Sequence, residues 1–320
     1  MKQFGRRFSL IVGSSSDGIE INNLRIAFEV TKSLDKEPNP AKIRIWNLAP
    51  YHRAAIMSGQ WKTVALSVGY EQLRMIYAGD ITKRNVKRED MDLVIEVECG
   101  DGAKAFRSAR VNMTLPAGTT DGFAAVALAG TMPDTPRGTM AVQRATPSSR
   151  PRVYCGNTRD YLSNVAHANN ADWSIQDGSL IMLPANATLT GQGPLINEST
   201  GMIGMPQAKD EGLEVQCLCN PEITVGGVVR VESLESTYSG DYKVVAVKHN
   251  GDSMEGDWFS TLTCIGGRFQ AVAKKTQKGQ AGASVIDPDD DLDLDSYVES
   301  FSGSRVLTRE PRVYSVEMFI

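Results

Sequence analysis

Histidine is scarce in this 320-residue chain: His52, His167 and His249 are all there is, and no two are close in sequence. None stands in an HExxH arrangement, which removes the usual zinc hydrolases. A GxxxxGK[ST] phosphate loop is also missing, so P-loop nucleotide chemistry has no anchor. No apolar run approaches the length of a membrane span, and no membrane insertion is expected. The opening MKQFGRRFSLIVGSSS carries too short an apolar stretch for a signal sequence. Charge of one sign is lacking too: a net charge of −4 gives no broad basic footprint for a dedicated nucleic-acid binder. The five cysteines are scattered and odd in number. Cys217 and Cys219 are spaced wrongly for a zinc knuckle, and Cys99, Cys217, Cys219 and Cys264 sit in strand-like runs as reduced, packed residues.

Two acidic features invite chemistry and do not sustain it. Asp291, Asp293 and Asp295 are spaced like a calcium loop, but Ser296 and Ser302 stand where glycine and a bidentate glutamate belong. His249, Asp252 and Asp257 fall at an expected hairpin tip, where polar residues are ordinary. No catalytic, cofactor-binding or metal-ligating residue is assigned, and no cofactor is expected. A carboxylate pair of the glycosidase kind stays open, because its separation is a three-dimensional quantity.

What the chain has is β grammar. Residues 241–265, DYKVVAVKHNGDSMEGDWFSTLTCI, read as a hairpin with Asn250 to Gly256 at its tip. Val245 and Val247 fall on one face of the first arm, with Tyr242, Val244 and Ala246 on the other. Trp258, Leu262 and Cys264 alternate with Phe259, Thr261, Thr263 and Ile265 in the second. Neither arm has a clean polar face, so both faces are expected to be covered. Strands are predicted over 4–12, 19–31, 41–48, 63–70, 73–81 and 91–99, with a helix from Pro50 to Met57. Helical spacing follows over 119–132 and 157–169, the second capped by Asn157 or Thr158. Residues 172–184 give two short strands about Asp177-Gly178. The division is a β-rich region over 1–105, a small α+β piece over 106–189, a second β-rich region over 190–272, and an acidic linker and extension over 273–320. The fold class is mainly β with an α+β insertion.

Four stretches carry a resemblance: 28–50 (FEVTKSLDKEPNPAKIRIWNLAP), 172–184 (DWSIQDGSLIMLP), 195–233 and 242–265. In order and extent, over residues 4–270, they are similar to the baseplate hub proteins of contractile-tailed bacteriophages, the family that includes late-control protein D. The resemblance implies two tail-tube-like β-barrels flanking the α+β domain. It also implies a homotrimer that joins a sixfold tail tube to a threefold central spike in the virion baseplate. Its partners would be the tube protein, the spike protein and other baseplate and tape-measure proteins. DNA would meet it only in transit, and synthesis would be in the host cytoplasm. Alternatives are a distal tail or tube protein of a non-contractile phage, and a tail-tip cell-wall hydrolase. In a trimeric ring the bore should be neutral or acidic, so that phosphates do not stick. Lys83, Arg84, Lys87 and Arg88 should then lie away from it, unless they form an ordinary solvated loop.

Overall fold

The computed structural model describes residues 5–142, 146–191, 193–210 and 212–266; the expected extension over 273–320 lies outside them. Strand makes up 49% and helix 16%, so the fold is mainly β, as its alternating sequence requires.

The first β-rich region runs β1 (Arg7–Gly13), β2 (Gly18–Ile21), β3 (Ile26–Ser33), β4 (Pro40–Trp46), α1 (Pro50–Met57), β5 (Thr63–Gly69), β6 (Leu73–Glu89) and β7 (Asp92–Gly100). The single strand expected over 19–31 is two, broken at Asn22 to Arg25. The middle piece holds α2 (Ala103–Ser108), β8 (Arg110–Leu115), α3 (Asp121–Ala129), β9 (Arg137–Met140), β10 (Arg152–Asn157), α4 (Thr158–Ala168), β11 (Ala171–Gln176) and β12 (Ser179–Pro184). Thr120 caps α3 by accepting from the Phe123 N–H. Asn157 stands at the cap of α4 but bonds no backbone there; its amide donates to Asp160 instead. Asp177 and Gly178 both take left-handed backbone, the turn expected of an Asp-Gly pair. The last region is β13 (Leu195–Ile196), β14 (Gln207–Lys209), β15 (Gly212–Leu218), β16 (Val228–Val231), β17 (Gly240–Asp252) and β18 (Trp258–Gly266).

Two separate closed barrels were the expectation, and the strand pairing corrects it. One 13-stranded sheet runs β14-β15-β18-β17-β3-β4-β7-β6-β5-β1-β2, with β13 and β16 joined beside β17. No closed ring of strands forms among the described residues. The cause is the length of β17. Residues 240–243 pair with β16, and 246–252 pair with β3, so the second region's hairpin extends the first region's sheet. A bulge between Val244 and Ala246 lies where the partner changes. It also corrects the expected faces: Tyr242, Val244 and Val247 share one core, because the extra residue shifts the alternation by one.

Three apolar cores result. β1 to β7 wrap a first core that includes Ile26, Phe28, Ile43, Trp61 and Tyr77. The middle helices and β11–β12 enclose a second, around Leu128, Leu162 and Trp173. The third gathers Val215, Val229, Tyr242 and Leu262 with Ile181 and Leu183 of β12. The β11–β12 hairpin therefore serves two cores at once. Its turn is tied to β3 by Lys32 on Asp177 (2.7 Å), its end to β17 by buried Lys243 on the Pro184 and Ala185 carbonyls (3.0 and 3.2 Å).

Trp258 begins β18 yet belongs to the first core: it is 3% exposed and meets Phe28 edge-on with centroids 5.4 Å apart. A side chain of this size buries about 150–250 Å². Trp258→Ala should cost about 3–5 kcal/mol in urea unfolding, with Trp258→Phe losing less. Equal melting of parent and alanine variant would contradict this placement.

Candidate interaction site

The start of β3, the middle of β4 and the end of β17 are neighbours in the sheet, and each sends every second residue outward. Sequence alternation therefore becomes a two-dimensional charge pattern. Arg25, Glu29, Lys42, Arg44, Lys248 and Asp252 line an open groove of about 680 Å³, together with Glu255 and Asp257 of the hairpin tip. Ala27, Phe28, Asn250, Gly251 and Gly256 complete its lining. A side chain at 251 has no room there: a Cβ would lie 2.4 Å from the Phe28 ring and 2.8 Å from Trp258.

Cross-strand pairs fix the charges. Lys248 meets Glu29 at 2.5 Å, Lys42 meets Glu96 at 3.1 Å, and Lys87 meets the other oxygen of Glu96 at 3.5 Å. Lys83 adds a pair with Glu98 at 2.7 Å. Burial pushes the Glu96 carboxyl up, but Lys42 and Lys87 more than reverse it, and it sits below its ordinary range. Arg25 and Arg44 both stack on Trp46, 4.8 and 5.3 Å from the ring centroid. Trp46 packs with Ala27 and Val94 in a small apolar cluster of its own. The two guanidiniums shield it from water and keep their charge at the groove rim.

The tip is fastened to β3. Asp252 Oδ2 accepts from Arg25 (2.9 and 3.2 Å), while Oδ1 accepts from the Met254 and Glu255 N–H groups (2.9 and 3.3 Å). Ser253 exchanges bonds with Ile26 in both directions. Burial alone would raise the Asp252 carboxyl; the Arg25 bond and the two backbone donors outweigh it and hold it low.

The residues weighed for chemistry are not brought together. His52 stacks on Trp61, His167 ends α4, and His249 is not at the tip but inside β17, 1% exposed and bonded to Ser260 at 2.7 Å. Asp252 and Asp257 do sit at the tip, as acceptors for the turn. Among the described residues no group of three or more His, Cys, Asp or Glu is arranged to hold a metal ion, and no helix is long and apolar enough to cross a membrane. The calcium-like aspartates lie outside the described residues. Cys99, Cys217, Cys219 and Cys264 are buried thiols pushed up to about 12 by burial; Cys155 is exposed. The cationic run 83–88 is not a loop: β6 continues through it, paired with β7. The groove residues themselves were missed, although Arg25/Ala27/Glu29 and Lys42/Arg44 alternate visibly. What makes them a site is strand order.

A model of the family described as Baseplate hub gp41 matches residues 11–264. The chain belongs to that family. Its place is among structural proteins of the bacteriophage tail baseplate. None of the curated proteins matches the sequence. Solved structures give the same fold at low identity. A tail protein from Neisseria meningitidis MC58 is 11% identical with a TM-score of 0.58, covering 82% of this chain and 96% of that one. The 43 kDa tail protein of prophage MuSo2 from Shewanella oneidensis is 8% identical with a TM-score of 0.57, covering 82% and 98%. An E. coli type VI secretion component, described as structurally similar to T4 tail proteins gp27 and gp5, is 12% identical with a TM-score of 0.51, covering 80% and 76%.

Asp252→Ala removes the acceptor for Arg25 and for two turn amides, and should cost about 1–2 kcal/mol at pH 7. A depressed carboxyl contributes stability above its ordinary value, 3.8, that is lost as pH falls through the folded value. The gap between variant and parent should therefore close in urea titrations below about pH 4. A gap unchanged from pH 7 to pH 3 would refute the assignment.

Proposed function

We propose that this baseplate hub protein is a non-enzymatic adaptor that assembles as a homotrimer, joins a sixfold tail tube to a threefold central spike, and surrounds the path of DNA during ejection. The observation that carries the reading is the hub-family match over residues 11–264, nearly all of the described chain. The two β-rich regions, 1–105 and 190–272, would present related surfaces, so three chains would offer six toward the tube. The piece over 106–189 would brace them. Its β11–β12 hairpin packs into the second β-rich core and is hydrogen-bonded to the first β-rich region through Lys32 and Asp101, which supports a rigid rather than a hinged adaptor. The likeness to a secretion component described as similar to gp27 and gp5 supports a spike-like partner. Location in the virion tail follows from the same reading.

The groove at the β4-β3-β17 junction is the surface we assign to a protein partner. It presents both signs of charge at fixed spacing, which selects a partner by register more than by strength. The cations at 83 and 87 are each matched by a glutamate on β7. That pairing suits a wall past which DNA slides as well as a protein contact, so the basic run is not required to face away from the bore.

Native mass spectrometry of the purified full chain at micromolar concentration tests the reading, with a trimer expected alone or on adding the tube and spike proteins. A stable monomer under all these conditions would exclude the hub arrangement. Arg44→Gln, which loses one stacking cation on Trp46, should cost no more than about 1 kcal/mol in melting and weaken capture of the partner at least tenfold. Clearing of purified cell wall in a zymogram would favour a tail-tip hydrolase instead.

A further inference from the structure

Two long hairpins, β6–β7 of the first β-rich region and β17–β18 of the second, turn at the same end of the sheet. Asp252, at the tip of one, is bonded to Arg25 at 2.9 Å, and the Arg25 carbonyl accepts from the Trp46 N–H at 3.1 Å. Asn47, next in the chain, donates to Asp92 at the tip of the other at 2.8 Å. The two tips present the same chemistry. One reads Glu89-Asp90-Met91-Asp92, the other Asp252-Ser253-Met254-Glu255. Met91 is 89% exposed and Met254 64%, and each has acids before and after it in the chain. The turns differ in length: Glu89 pairs with Asp92, whereas the Asp252 N–H reaches the Asp257 carbonyl. The likeness therefore lies in what the tips display.

Both turns are fastened by side chains. Asn47, in left-handed backbone at φ +54°, holds Asp92 with its amide, accepts from the Leu93 N–H at 3.1 Å and gives its own N–H to the Leu93 carbonyl at 2.8 Å. Arg88 donates to the Asp90 carbonyl at 3.1 Å. At the other tip Arg6 donates to the Asp252 and Gly256 carbonyls at 3.2 and 3.0 Å. None of these bonds uses either methionine side chain. The acids are left over as well. On the sheet face Glu29, Glu96 and Glu98 are matched by lysines, but among the described residues Glu89, Asp90, Asp92, Glu255 and Asp257 have no ion pair. A single exposed methionine calls for no explanation. The same display made twice, once in each β-rich region, on pinned turns and with like charges gathered at one end, does nothing for folding and belongs to what the molecule meets.

We propose that the two tips are matched docking prongs, each seating its methionine in an apolar socket rimmed by Lys or Arg, on a partner that repeats the socket from subunit to subunit. A socket used twice by one chain needs the same surface twice on the other side, and a ring of identical subunits supplies it. That ring is the tail tube of the adaptor reading, on which this inference rests. Methionine suits the seat because it is unbranched and polarizable and fills irregular gaps. A turn already pinned loses little freedom on docking. The unpaired acids would meet the cationic rim and set orientation and speed of encounter more than affinity. Glu255 and Asp257 also line the groove at the β4-β3-β17 junction, so one prong borders the surface assigned to a partner above.

Capture of the purified tail tube protein by the full chain, followed by biolayer interferometry, tests this with Met91→Ala, Met254→Ala and the double variant. Each single change should weaken capture about tenfold and the double change on the order of a hundredfold, with melting and oligomeric mass unchanged. Capture by the parent should also weaken as salt rises from about 0.05 to about 0.5 M, and Asp90→Asn combined with Glu255→Gln should flatten that dependence. Capture by the double methionine variant equal to the parent's overturns the proposal and leaves the adaptor reading standing. So does loss of the trimer in that variant, which would assign the tips to a second copy of this chain, or loss of spike capture with tube capture intact. A parent that forms trimers yet captures no tube protein overturns both.

Discussion

Everything in this fold depends on β17 keeping three partners at once. It is hydrogen-bonded to β18 along most of its length, to β16 before the bulge and to β3 after it. Antiparallel pairing supplies backbone bonds of ordinary strength, so the continuity does not come from any one contact. It comes from 13 residues of one strand being committed to two regions of the chain. Displacing β17 would open the first core at Phe28 and Trp258 and the third at Tyr242, Val244 and Val247. The regions therefore share one sheet, and stress applied to one is carried to the other through backbone bonds.

Much of this was legible in the sequence, and the rest was hidden for physical reasons. Period-two alternation located β4, β5, β7 and β18, Pro50 marked the start of α1, and Asp177-Gly178 marked a turn that the structure reproduces. These are local signals. Strand order is not local, and nothing in residues 246–252 announces that their neighbour is β3, more than two hundred positions earlier. The second half of β6 was hidden by composition: Lys83, Arg84, Lys87 and Arg88 read equally well as a partner-facing basic cluster or a solvated loop until Glu96 and Glu98 of β7 are placed beside two of them. The bulge hid the true inward face of β17, because one extra residue inverts every parity beyond it. Asp101 carried no signal at all. It is one acid after a Cys-Gly pair, and only the approach of a turn 76 positions away makes it a buried acceptor.

The charged face belongs to the same logic. Exposed cross-strand ion pairs contribute about 0–1 kcal/mol each, too little to explain why so many are kept on one surface. Their stronger effect is on the field. Lys83, Lys87, Lys42 and Lys248 each stand within 3.5 Å of a glutamate oxygen, so the positive potential of a cation-rich stretch is cancelled at close range. Beyond about one Debye length, roughly 8–10 Å, such a face is nearly neutral; at contact distance it is a sharp pattern of alternating sign. A polyanion passing at a distance gains little from it, whereas a protein surface with matching alternation gains register.

Polar residues also fasten the β11–β12 hairpin, and this has a structural consequence that apolar packing would not have. Ile181 and Leu183 would tolerate a slide of the hairpin along the sheet, since apolar contacts carry little directional preference. Lys32 on Asp177 at one end and Lys243 on the Pro184 and Ala185 carbonyls at the other do not, because a displaced hairpin would leave two buried ammonium groups without acceptors. Burial lowers the Lys243 amine, so part of the cost of placing a charge there is already expressed in its proton affinity. The net stabilisation from such bonds is small, since desolvation consumes most of what the bonds return. What they secure is position: the middle piece sits at one register across the junction of β3 and β17, the place where the two β-rich regions become one sheet.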